Sequence, residues 1–75
     1  MHAYNVFRRK GYRVYCAVPE DSAVPPFVDP KTWAFRGKLS ELRDAPLGFD
    51  DKAAEVGVRF NGFYLFHDFA VQRAA

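Results

Sequence analysis

The sequence predicts a single α+β domain: a small sheet of about four strands, opened by a β-hairpin, with one helix before the last strand. Three observations carry this expectation. Two runs rich in Val, Tyr and Phe, "AYNVFRR" and "YRVYCAV", flank Lys10-Gly11, the pattern of a hairpin with a two-residue loop. The run "DKAAEVGVRF" follows Asp50 and precedes Gly62, which suits a helix with a carboxylate N-cap and a glycine after its last turn. The segment "FYLFHDF" then reads as a strand.

Taken in order, the hairpin comes first. With Lys10-Gly11 as the loop, Arg9 faces Tyr12, Arg8 faces Arg13, Phe7 faces Val14 and Tyr4 faces Ala17. Strand alternation puts Phe7, Tyr12, Val14 and Cys16 on an expected core face, and Tyr4, Val6, Arg8, Arg13 and Tyr15 on the other. Residues 18–30, "VPEDSAVPPFVDP", hold four prolines, which exclude a helix or a central strand. Residues 19–30 are therefore an internal proline-rich connection, tacked to the body by Phe27 and Val28. In "TWAFRGKL", Trp33, Phe35, Gly37 and Leu39 recur two apart, predicting a third strand over 33–38 with Arg36 and Lys38 on its other side. "SELRDAPLG" reads as a turn or short helical piece.

The helix at 51–60 places Ala53, Val56, Gly57 and Phe60 on one face, with Asp51 in the first turn and Arg59 in the last, both favourable to the helix dipole. A rival reading makes Asn61-Gly62 a second hairpin turn and the whole chain an all-β small barrel. Both readings agree on a strand within 63–69, with the final strand taken over 63–68. There Phe63, Leu65 and Phe69 share one face, and Tyr64 and Phe66 share the other. A strand apolar on both faces is either central or covered by a partner.

Composition narrows the function. The chain has 75 residues, enough for one domain that buries only about 60% of its unfolded surface. Cys16 is the sole cysteine, so no intrachain disulfide forms, and one Cys with two His makes a zinc site implausible. Aromatic residues make up 17% of the chain and must supply much of the core. No apolar run has the length of a signal peptide or a membrane span. With a lone thiol, the expected location is cytoplasmic. Ten alanines and an excess of Arg over Lys lean towards a bacterial genome.

The net charge of +2 is uneven, with Arg8, Arg9, Lys10 and Arg13 unaccompanied by any acid through residue 18. Tyr4, Arg8, Lys10, Arg13 and Tyr15 therefore form a candidate face for an anionic ligand: cations track phosphates and aromatic rings stack on bases. The plainer account is a solvated sheet face with Arg stacked on Tyr. Phe63, Tyr64, Leu65 and Phe66 form a candidate interaction strand, for a protein partner or a homodimer.

Chemistry is thinly supported. His67 and Asp68 are adjacent on a strand and point to opposite faces. Cys16 lies on the expected core face and has no motif around it. Asp50 with Asp51, or Asp44 with Glu41, has the makings of a metal pair, but the helix start accounts for Asp50 and Asp51 without any ion. No phosphate loop, EF-hand spacing or H-E-x-x-H is present. The expectation is a small non-enzymatic interaction or self-association module without cofactor or metal. A single-stranded nucleic-acid-binding module is the alternative, and an enzyme built on Cys16 or His67 ranks last.

Overall fold

A computed structural model describes residues 3–41 and 45–67. It contains β1 (Tyr4–Arg9), β2 (Val14–Pro19), β3 (Trp33–Leu39), α1 (Asp51–Asn61) and β4 (Tyr64–His67). The four strands form one antiparallel sheet in the order β3-β1-β2-β4. The sheet is open, so the α+β expectation holds and the barrel does not form.

The helix forms where the local signals place it. The Asp50 carboxylate accepts from the backbone N–H of Lys52 at 3.0 Å and of Ala53 at 3.2 Å, satisfying two of the amides that a helix start leaves open. At the other end Gly62 takes φ 87° and donates its N–H to the Val58 carbonyl. That left-handed cap closes the helix where the rival reading required a hairpin turn.

Three details differ from the sequence-based expectation. The first is the hairpin register. Arg8 pairs with Tyr15 and Phe7 with Cys16, two residues away from the register that set Arg8 against Arg13. The turn is longer because its tip is tied to neighbouring chain. The Lys10 N–H donates to the Thr32 carbonyl and its ammonium to the Pro30 carbonyl, both within 2.8 Å. Arg9 lies 4.7 Å over the Tyr12 ring. This register also removes the repulsion of two directly opposed arginines. A slip of two residues leaves the paired side chains on their expected faces, while Tyr12 and Arg13 fall in the turn before β2 and Tyr12 is exposed instead of core.

The second is a β-bulge in β3. Val6 pairs with Gly37 but Phe7 pairs with Phe35, so Arg36 is the extra residue. The bulge flips the parity of the strand. Trp33 joins a cluster with Cys16 and Val18 on one sheet face, while Leu39 joins Tyr4, Val6 and Tyr15 on the other. The predicted single face Trp33–Phe35–Gly37–Leu39 is thus split in two.

The third is the buried side of α1. Ala54 is the helix residue that is fully buried, and Val58 packs beside it. A Cβ on Gly57 would lie 3.1 Å from the Phe63 carbonyl oxygen, so the helix backbone closes onto the start of β4 at that point. Val56 and Phe60, which share the face read from the periodicity, are 53% and 74% exposed.

Two clusters fill the two faces. Under the helix, Phe49 packs edge-on to Tyr4, Tyr64 and Phe66. On the opposite face the proline-rich connection supplies Phe27, whose ring is 6.0 Å from Trp33 and 5.0 Å from Phe63, with Val28 beside it. Phe27 and Val28 tack the connection down as the sequence implied. Asp68, Phe69 and the 42–44 part of the turn lie outside the described residues.

Candidate functional site

The anionic-ligand face divides between core and tip. Tyr4 and Tyr15 are 1% and 3% exposed, sealed beneath α1 and the 45–49 segment, so neither ring offers a face to a base. Arg8 is half-buried. Lys10 is bound to the Pro30 carbonyl. Arg13 lies in the exposed turn. Stacking platform and cations therefore do not converge on one surface.

The Tyr4 hydroxyl is buried and has no hydrogen-bond partner. Burial raises its pKa above the ordinary tyrosine value, and the nearby Asp51 and Glu55 carboxylates push in the same direction. A cleft of about 340 Å³ runs past this region between Pro19, Glu20, Asp21, Ser22 and Val58. Its lining carries Ser22 beside the carboxylates of Glu20 and Asp21, and the Glu20 carboxylate is engaged by the Lys38 ammonium at 2.8 Å.

Cys16 is fully buried, and desolvation pushes its thiol up to about 12. A thiol held protonated is a small hydrophobe, not a nucleophile. His67 does come onto the neighbouring strand, but it pairs with Val14, and Cys16 pairs with Leu65. Among the described residues no group of three or more His, Cys, Asp or Glu side chains could hold a metal ion. No helix of the described residues is long and apolar enough to cross a membrane.

The interaction strand is the last strand of the sheet. β4 pairs with β2 on one side and with no strand on the other among the described residues. Phe66 is buried, Phe63 and Tyr64 are half-buried, and Leu65 is 48% exposed. The two sheet edges are built differently. β3 carries a bulge, Gly37 at φ 144°, and the charged Arg36 and Lys38. Each of these discourages another strand from pairing there. β4 is regular and carries no Lys, Arg, Asp or Glu; only its shortness limits it.

The helix extends this edge. Stepping round α1 from Val58 through Ala54 to Gly57, at about 100° per residue, leads from the Tyr4 side of the sheet to the Phe63–Tyr64 backbone. The same rotation continued reaches Ala53, Phe60 and Val56. These three exposed apolar residues therefore project past β4 on the open side of the sheet. Periodicity finds this stripe but not its exposure, because exposure depends on where the helix sits and not on its own pattern. The chain matches no family model, no curated protein and no solved structure.

Proposed function

We propose that this protein is a small non-enzymatic interaction module that takes its partner by strand addition along the outer edge of β4. The observation that carries this reading is the contrast between the edges. One is blunted by a bulge and two cations. The other is regular, uncharged and flanked by Leu65 on one face and the Ala53–Val56–Phe60 stripe on the other. Strand addition supplies affinity through main-chain hydrogen bonds and specificity through alternate side chains. Extra apolar surface beside the edge adds hydrophobic burial. The nucleic-acid alternative keeps only the exposed tip, since its two tyrosines are core.

The test is a ¹⁵N–¹H NMR titration with short extended peptides of alternating apolar and polar residues, run beside mixed single-stranded oligonucleotides. The expected result is peptide-induced shifts at residues 64–67 and at Ala53, Val56 and Phe60. Salt-sensitive oligonucleotide shifts at residues 8–13, with none at β4, would replace this reading by the alternative.

A further inference from the structure

We infer that the strand added at this edge is β4 of a second copy of the chain, running antiparallel about a two-fold axis through Leu65. The inference rests on the edge reading above and names its partner.

The residues around Leu65 are self-complementary. The order Phe63, Tyr64, Leu65, Phe66, His67 places two rings on either side of one leucine. Opposed residues in an antiparallel pair share a face. A two-fold at Leu65 therefore sets Leu65 against the same residue of the second copy, Tyr64 against Phe66, and Phe63 against His67. Every ring meets a ring, and no charge is placed against a like charge. A register moved by one residue would oppose side chains of different faces.

The helix agrees with the same axis. Gly62 is the pivot between α1 and β4. Three strand residues back from it, at about 3.3 Å each, cover the length of six or seven helical residues at about 1.5 Å each. Leu65 is therefore level with Val56. An axis perpendicular to the sheet keeps both helices on one face and brings their stripes together at Val56, with Phe60 of each helix towards Ala53 of the other.

The result is an eight-stranded sheet in which both remaining edges are the blunted β3. Isologous pairing of this kind closes on itself and does not propagate into fibres.

The experiment measures the mass of the full chain by sedimentation equilibrium from micromolar to millimolar concentration, and oxidises two cysteine variants. A residue on the axis faces itself at about 4.5–5.5 Å between Cα atoms, within the span of a disulfide. Leu65→Cys should therefore cross-link into a covalent dimer. His67→Cys should not, because the two copies of residue 67 stand four strand residues apart, roughly 13 Å. Leu65→Lys and Phe60→Asp should each weaken the dimer by at least about tenfold, while the fold, read by the ¹⁵N–¹H spectrum, persists. A monomer at every concentration overturns the second-copy inference; if the peptides still shift β4, the edge reading stands without it. Cross-linking of His67→Cys in preference to Leu65→Cys overturns the axis. A dimer indifferent to both Leu65→Lys and Phe60→Asp overturns the inference and the edge reading together.

Discussion

Removing one oxygen atom from the core should stabilise this protein. The Tyr4 ring is packed under the helix, 5.8 Å centroid to centroid from Phe49, but its hydroxyl is buried without a partner. A buried polar group left unsatisfied costs about 1–3 kcal/mol. Tyr4→Phe removes that cost and keeps the ring contacts. It leaves a small void, which offsets part of the gain. The expected net is a stabilisation of about 0.5–2 kcal/mol, seen as a higher urea midpoint at unchanged slope. For a domain of this length each kcal/mol moves Tm by about 4–8 °C. The competing possibility is specific: Asp51 also has a buried, unpartnered carboxylate oxygen and raises the Tyr4 pKa. If the two groups bond in solution, Tyr4→Phe would lose about 1 kcal/mol or more. A double-mutant cycle with Asp51→Asn would then show coupling of about 0.5–3 kcal/mol. That result would refute the reasoning.

Other outcomes follow from the same structure. Cys16 should resist a thiol reagent in the native state and react only after unfolding, because its thiol is buried and pushed up to about 12; rapid native labelling would contradict this. Stability should fall as pH rises from about 9 towards 12. In that range the Cys16 thiol, and above pH 10 the Tyr4 hydroxyl, ionise more readily in the unfolded chain than in the fold, so the proton-bound native state loses ground; alkaline urea titrations check the sign. Asp50→Ala should cost about 0.5–2 kcal/mol through loss of the N-cap, measured by thermal unfolding. Gly62→Ala should also destabilise. Nothing lies within 4 Å of an added Cβ, so the cost of about 1–2 kcal/mol is that of a left-handed backbone alone.

Elements were legible in the sequence where their cause is local. The helix ends follow from Asp50 and Gly62, and each needs only its own amides and carbonyls. The hairpin faces were legible even though the register was not, because a slip of two residues preserves alternation. The register itself depends on Lys10 binding the backbone of Pro30 and Thr32, some twenty residues away. The bulge at Arg36 was hidden for the same reason. It exists only in the pairing of β3 with β1, and Gly37 alone does not announce it. The candidate anionic face failed at Tyr4 and Tyr15 because alternation says which residues share a face, not which face the helix covers. The apolar character of 63–66 was legible. Its position at the edge was not, since strand order is a property of the whole chain.

The apolar face of α1 bears directly on association. Of Ala53, Val56, Gly57 and Phe60, which share one face by spacing, the fold presses only Gly57 against Phe63, and the residue it buries is Ala54. Two apolar faces on an eleven-residue helix are more than one sheet face can cover. Filling Gly57 separates the possible reasons. A Cβ there would press on backbone at 3.1 Å and on Tyr64 at 3.4 Å, against a helix-propensity gain of about 1 kcal/mol for Ala over Gly. Phe63 sits in the short link between α1 and β4, so its carbonyl moves only if the helix lifts from β4. Gly57→Ala should therefore leave monomer stability near neutral. It should also weaken association, because lifting α1 moves the Val56–Phe60 stripe off the level of Leu65. If the stripe were merely tolerated surface, the same substitution would leave the mass at every concentration unchanged.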